Sequence, residues 1–459
     1  MEPLGGLFKS YDIRGIVGEQ IYPEICYRIG QAFASLMAEE DASLEKILIG
    51  HDMRPSADAL VPAFIEGVIS RGIDVDQLGL CSTDMLYFAS GFHNCPGAIF
   101  TASHNPSQYN GIKLCRAGAR PIGAESGLID IQGKTMSEDS EPVLSKGNVH
   151  SLEILDDFVN HVLGFIDVKS LQPLNVVVDT ANGMGGLVVP AVFDKLPFRL
   201  DLMFGELDGT FPNHPADPLN SENLVDLQRK VQSSNADIGL AFDGDADRVF
   251  LVDEMGQSLS GSDTTALVAK SILDREPGST IIHNLICSRA VPETIKRYGG
   301  QALRSRVGHS YIKQLMAETD AAFAGEHSGH YYFRDNYRAD SGLIAALLVM
   351  QEMSDREISL SLLRKDFGSY SSTGEINFHV DNPIDVIERI SDTFSDHEHD
   401  YLDGLTVNGD KWWFNLRPSN TEPLLRLNLE ADNAVTMERE FMNVSACLQQ
   451  FVESEGKAY

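Results

Sequence analysis

Ser103 stands in the hexapeptide Thr101-Ala-Ser-His-Asn-Pro106, between the β-like apolar run Gly97-Ala-Ile-Phe100 and a turn-forming Asn-Pro pair. A serine at such a strand-to-loop mouth is a candidate nucleophile; the same residues would also serve as a plain turn or helix cap. A second segment carries Asp243, Asp245 and Asp247 at alternate positions, followed by Arg248 and preceded by the apolar run Ile238-Gly-Leu-Ala-Phe242. That run is short enough for a buried parallel strand, and alternate residues of extended backbone share a side, so the three carboxylates are expected to converge. Their mutual repulsion is relieved by a hard divalent ion with oxygen ligands, and magnesium is the expected ion. A solvated acidic turn is the alternative, and an EF-hand is excluded because Arg248 occupies the position of its turn glycine.

The third segment, Leu416-Arg-Pro-Ser-Asn-Thr-Glu-Pro423, lies between the strand-like runs Lys411–Asn415 and Leu424–Leu429. Arg417 offers a planar fork for phosphate oxygens, and Ser419, Asn420 and Thr421 add hydroxyl, amide and main-chain donors, so the loop reads as an anion cradle. A hairpin turn would account for Pro418 and Asn420 but would not require Arg417.

These residues need a scaffold, and 459 residues exceed the size at which one core keeps growing, so three or four domains are expected. A hydrophobic content of 43% suffices for globular cores. The formal charge of −31, with no basic run, argues against a nucleic-acid surface, and any anionic ligand would need Arg, Lys and a metal to reverse the field locally. Six cysteines without paired spacing fit reduced thiols better than a disulfide framework. With no leader pattern and no membrane-length apolar run, a soluble cytoplasmic protein is expected.

Strand-like runs at Ile47–Gly50 and Gly97–Thr101 alternate with amphipathic helix at Glu24–Met37, the pattern of an α/β unit. Polar sequence over Thr135–Asn148 reads as a connection. A helix is then expected from Ser151, its N-cap, with Leu152, Leu155, Phe158, Val159, Val162 and Leu163 as the apolar stripe. Asn175–Asp179 leads into the turn Thr180–Gly186, whose glycines fit close helix–strand packing better than phosphate binding. The expected architecture is three consecutive α/β domains, 1–148, 149–254 and 255–366, followed by a smaller α+β domain, 367–459, around a central cleft.

Together with Phe8-Lys-Ser-Tyr-Asp-Ile-Arg-Gly15 and Gly325-Glu-His-Ser-Gly-His330, these segments resemble the α-D-phosphohexomutase family, most like its phosphomannomutase/phosphoglucomutase branch. The resemblance runs from the opening motif to the loop at 417–423. It implies that the three α/β domains share a topology and that Ser103 is carried as a phosphoserine. It also implies that a hexose 1-phosphate and a hexose 6-phosphate interconvert through a hexose 1,6-bisphosphate, which turns end for end between two transfers. The Ser103 phosphoryl group would join Asp243, Asp245 and Asp247 on Mg2+. Arg14, Lys113 (in Asn110-Gly-Ile-Lys113) and His104 would assist transfer, Lys113 needing a lowered pKa to act as a base. Arg248, His309, Glu326, Ser328, His330, Arg417, Ser419, Asn420 and Thr421 would bind the phosphosugar. Glu326 and Ser328 would read the 3- and 4-hydroxyls, which glucose and mannose share, so dual specificity is expected. Family members with a lysine in the segment aligned with Asn284–Arg289 have it where this chain has Ile286, and Arg289 is one replacement for its charge.

Three other readings stay open at this level: a phosphoglucosamine mutase, a phosphohydrolase with Asp243 as nucleophile, and a non-catalytic phosphosugar-binding protein. Oligomeric state is not legible in the sequence.

Overall fold

The computed structural model describes residues 6–137, 145–367, 370–380, 382–418 and 424–454. Three sheets in succession repeat one strand order. In the first, Lys46–His51 is central, Asp74–Leu80 joins it in parallel on one side and Gly97–Phe100 on the other, and Tyr109–Arg116 runs antiparallel beyond Gly97–Phe100. The second repeats this with Asn175–Asp179, Arg199–Met203, Ile238–Phe242 and Val249–Asp253. The third does so with Thr280–Asn284, Gln301–Ser305, Phe323–Gly325 and Tyr331–Phe333. The shared topology expected from the resemblance is therefore present. Its consequence is positional: the connection from third to fourth strand leaves the carboxyl end of a parallel strand, where open α/β sheets place ligands. In the three units that connection holds Ser103, then the three aspartates, then Glu326 to His330.

The first sheet is extended by Ile13–Ile16 beside Tyr109–Arg116 and by Val149–Ser151 beside Asp74–Leu80. The second addition corrects an expectation: Ser151 ends a strand, and the helix begins at Leu155. The exposed edge of Asp74–Leu80 offers partners that a helix N-terminus would lack, and the Leu152 amide also bonds Gln77 O at 3.0 Å. The apolar stripe is otherwise as expected, with Phe158, Val159 and Val162 buried.

One core runs through the first three units, built on the buried helices Thr83–His93 and Gly342–Arg356. The fourth sheet, five antiparallel strands with the helices Pro383–Thr393 and Ala434–Ser454, has a core of its own. Its contacts with the third unit include an Arg304–Asp400 ion pair, Arg306 Nε to Leu402 O at 2.9 Å and Val307 N to Asp403 Oδ2 at 3.2 Å. All six cysteines are free thiols. No helix among the described residues is long and apolar enough to cross a membrane.

Candidate active site

The loop after Phe100 turns at Ser103, whose φ of 49° lies in the left-handed region that side chains with a Cβ seldom adopt. The Ser103 amide donates to Thr101 Oγ1 at 3.0 Å, and its buried hydroxyl donates to Asp243 Oδ2 at 2.8 Å. Arg248 Nη2 reaches the same Oγ at 3.2 Å, and Arg248 Nε donates to Asp243 Oδ2 at 2.9 Å. His104 Nδ1 lies 3.3 Å from Ser103 Oγ and 2.5 Å from Arg248 Nη2. Burial, then the charges of Arg248 and Arg14, hold His104 well below the usual imidazole range, so it accepts as a neutral ring. Arg14 is brought to this loop through Asn105 Oδ1 at 2.5 Å.

The three aspartates converge by a route other than the extended strand expected. Asp243 to Arg248 forms a turn, with Ala246 at φ 62°, and one oxygen of each carboxylate lies within 4.8 Å of the others. All three are buried. Lys113 Nζ donates to Asp245 Oδ2 and Asp247 Oδ2, each at 2.6 Å, and Thr83 Oγ1 donates to Asp245 Oδ2 at 2.6 Å. Asp245 Oδ1 and Asp247 Oδ1 are buried with no hydrogen-bond partner among the described residues. Hard oxygens that are buried, negatively charged and unsatisfied fit a divalent cation of the magnesium or calcium type.

Electrostatics divides the three carboxylates. Burial pushes Asp243 up to about 7, with Asp247 and Asp245 adding to the rise against Arg248. Burial also opposes ionisation of Asp245, yet the Lys113 ammonium and the Thr83 hydroxyl hold it below the usual carboxylate range. Lys113 is the counterpart: burial favours its neutral form, but Asp245 and Asp247 raise it well above an ordinary lysine. The lowered pKa that a base would need is thus opposed by its neighbours, and Lys113 supplies charge.

The first two loops meet backbone to backbone. A Cβ on Gly244 would lie 2.5 Å from the Ser103 carbonyl oxygen, and one on Gly183 would lie 2.6 Å from Gly244 O. The glycine-rich turn at 180–186 is therefore a packing feature. Gly244→Ala is expected to push the Ser103 loop away from Asp243 and lower kcat about 100-fold. Initial rates, with circular dichroism to verify the fold, check this.

In the third unit Glu326 is buried and already holds three donors: Tyr332 Oη at 2.6 Å on Oε1, and Asn284 Nδ2 at 3.0 Å and Gly308 N at 3.4 Å on Oε2. Ser328 is half-buried on the same loop. His330 reaches across to the second unit, its Nδ1 lying 2.8 Å from Asp340 Oδ2 and 3.8 Å from Asp247 Oδ1. Burial disfavours the imidazolium, but Asp247 and Asp340 raise His330 above its ordinary value. His309, which begins the helix His309–Thr319, is depressed to about 3 by burial and by Lys313. The Tyr11 ring of the opening motif packs edge-on to His309 with centroids 5.0 Å apart, joining the first unit to the third.

Arg417 lies in the strand Trp412–Pro418, buried, donating to Glu375 Oε2 at 2.8 Å. Burial, then Tyr311, Glu326 and Asp403, push the Tyr11 phenol up to about 12, and the Arg417 charge offsets part of that rise, so the fourth unit bears on the same space. Ser419, Asn420 and Thr421 lie outside the described residues. Arg289 does not stand in for a lysine at Ile286: its guanidinium donates to Trp412 O at 3.2 Å and binds the fourth unit instead.

Sequence reasoning missed several members of this cluster. Lys313 pairs with Asp340 at 3.0 Å and lies 4.0 Å over the Tyr87 ring; its signal was the i, i+4 spacing from His309 on one helix face. Thr83, Asn284, Tyr332 and Asp340 carry no local signal, because only the packing of the units brings them in.

Four family descriptions match the chain in order: Phosphoglucomutase/phosphomannomutase alpha/beta/alpha domain I over residues 5–139, domain II over 156–256, domain III over 260–370, and the C-terminal domain over 375–446. Phosphomannomutase of Escherichia coli (strain K12) is 38% identical over 441 residues, 94% of this chain and 96% of that protein. "Phosphohexose mutases" of Xanthomonas campestris pv. campestris (strain B100) is 36% identical over 447 residues, 96% of this chain and 99% of that one. The crystal structure of a phosphoglucomutase/phosphomannomutase family protein from Burkholderia thailandensis superposes with a TM-score of 0.89 at 30% identity, covering 99% of this chain and 98% of that chain. With a serine loop, an acidic loop and a Glu-His-Ser-Gly-His loop at equivalent places in three repeated units, and relatives of this identity along nearly the whole chain, the protein belongs to the phosphoglucomutase/phosphomannomutase family.

Proposed function

We propose that the chain is a phosphohexomutase that interconverts hexose 1-phosphate and hexose 6-phosphate, for mannose and glucose, through phosphoserine 103 and a hexose 1,6-bisphosphate. The observation that carries this reading is the Ser103 hydroxyl, 2.8 Å from one carboxylate of the acidic cup and 3.2 Å from the Arg248 guanidinium. Mg2+ held by Asp243, Asp245, Asp247 and the Ser103 oxygen would supply neutralisation of the charge that develops on the transferring phosphoryl group.

The chain's own residues account for the rest. Arg248 faces Ser103 Oγ and stabilises that oxygen as the P–O bond breaks; Arg14 adds positive charge beside the loop. A sugar hydroxyl of the bound hexose phosphate attacks phosphorus as the bond from phosphorus to Ser103 Oγ breaks, and the proton it gives up is returned to Ser103 Oγ, which departs as the hydroxyl. After the bisphosphate turns, the Ser103 hydroxyl attacks the other phosphate and the first state is regenerated. Arg417, with Ser419, Asn420 and Thr421, holds whichever phosphate is not reacting.

Glu326 is set for the sugar. Three donors already sit on its two oxygens, which fixes the carboxylate plane and leaves a lone pair on Oε1 for one sugar hydroxyl, with Ser328 on the same loop for the neighbouring one. In Glu326→Gln an amide NH2 must face Tyr332 or the Asn284 and Gly308 donors, so kcat/KM is expected to fall about 10- to 100-fold. Mannose and glucose 1-phosphates should be affected alike, since both present the same 3- and 4-hydroxyls. Coupled assays of mannose, glucose and glucosamine 1-phosphates, with magnesium and a trace of bisphosphate, test the reading. Turnover of the first two supports it; turnover of the glucosamine phosphate alone, or release of inorganic phosphate, contradicts it.

A further inference from the structure

We propose that Arg54 is the positioning residue that aims Ser103, and that the segment Asp208–Asp217 of the second unit is the backstop holding Arg54 in place. The proposal rests on the mutase reading for its catalytic consequence. Arg54 is 1% exposed, and each of its five N–H groups has a partner. Nε donates to Asp52 Oδ2 at 3.2 Å. Nη1 donates to Pro106 O and Tyr109 O, both at 2.9 Å, and Nη2 to Ser103 O at 2.9 Å and Asn105 O at 2.6 Å. Four main-chain carbonyls of the nucleophile loop thus converge on one guanidinium. A planar fork reaches four acceptors at once; an ammonium with three donors does not.

Ser103 needs such a device, because its φ of 49° is unfavourable for a residue with a Cβ and persists only where surrounding contacts over-determine it. On one side its carbonyl is gripped by Arg54, and on the other it touches Gly244, where a Cβ would lie 2.5 Å away. Release of the carbonyl would let the peptide rotate and carry Oγ off Asp243.

The backstop is independently strained. Phe211, a bulky residue, sits at φ 52°, and its ring lies 5.1 Å from the Arg54 guanidinium carbon. Gly209 allows this approach, since a Cβ there would meet Arg54 Cα at 2.6 Å. The same segment continues past the glycine-rich turn, where Asn213 Nδ2 donates to Asn182 Oδ1 at 2.8 Å and His214 Nε2 lies 3.0 Å from Asp179 Oδ2, to the acidic turn, where Ala216 packs under Gly244. One stretch of the second unit therefore buttresses both the nucleophile loop and the turn that bears the carboxylates.

The test compares wild type, Arg54→Lys, Phe211→Ala and Ser103→Ala. Three quantities are read: the single-turnover rate of phosphoryl transfer from hexose 1,6-bisphosphate to protein by intact mass, KM for glucose 1-phosphate, and deuterium exchange of the amides at 101–109. For Arg54→Lys, transfer per folded molecule is expected to slow about 100-fold with KM changed less than about threefold, and exchange across the loop to quicken. Phe211→Ala is expected to slow transfer and quicken loop exchange by about 5- to 10-fold or less, with KM again changed less than about threefold, and it carries the test if Arg54→Lys does not fold. Unchanged transfer per folded molecule and unchanged loop exchange in these variants would overturn the proposal and leave Arg54 a structural residue. A wild type that accepts no phosphoryl group would overturn the mutase reading, whereas loop exchange would still decide whether Arg54 holds Ser103.

Discussion

Ser103→Ala is expected to lower kcat for mannose 1-phosphate and glucose 1-phosphate by on the order of 10⁴-fold or more, with the fold intact. Among the described residues, Ser103 carries the hydroxyl held between a carboxylate and a guanidinium, whereas Thr83 Oγ1 is committed to Asp245 and Thr101 Oγ1 receives the Ser103 amide. Folding should survive, because Asp243 retains the Arg248 main-chain and side-chain donors when the serine hydroxyl is gone. Coupled assays of both sugars measure the effect. Loss of binding rather than of kcat would indicate that Ser103 holds substrate and does not react with it.

Removing the divalent cation is expected to lower kcat by on the order of 10³-fold or more, and re-addition of magnesium to restore it. Chelation also has a stability signature with a definite sign. Burial raises Asp243 to about 7, and it raises Asp84, held by the Ser82 and Ser341 hydroxyls, to about 7 as well. A carboxylate whose folded pKa is raised stabilises the fold most below its unfolded value and loses that contribution as pH rises through the folded one. The chelated protein should therefore melt at progressively lower temperature between about pH 5 and pH 8. A cation must displace the proton on Asp243, so the rise in Tm on adding magnesium should grow over the same interval. Thermal scans with and without magnesium check both slopes. A magnesium-induced shift that is flat or shrinks with pH would contradict the assignment of Asp243 to the cation.

The sequence exposed those parts of the site that lie on one loop each. Ser103 was legible because it follows a four-residue apolar strand, and the aspartates because three carboxylates after a buried strand need an explanation. The reason given for the aspartates was nevertheless incomplete, since a turn gathers them, with Ala246 in the left-handed region. Contacts made by packing were invisible. Tyr332 and Asn284 come from different strands to orient Glu326, and Lys313 reaches Asp340 from the helix His309–Thr319. Arg54, 49 residues before Ser103, looks like any polar residue after a strand until its carbonyl partners are seen. The helix expected at Ser151 failed for a related reason, because helical periodicity carries no information about the open sheet edge that claims Val149–Ser151. The repeated strand order of the three units follows from the family resemblance and from no repeat of residues, since similar backbones here carry different side chains on equivalent loops.

In the proposed cycle the phosphoryl group travels through Ser103. The most direct measurement incubates the protein with magnesium and hexose 1,6-bisphosphate, locates the added phosphoryl group by peptide mass analysis, then mixes the product with hexose monophosphate in a quench-flow instrument. A single phosphoryl group on Ser103, lost to the sugar at least as fast as kcat, is the predicted result. A phosphoryl group on Asp243, or turnover with Ser103 unmodified throughout, would contradict it.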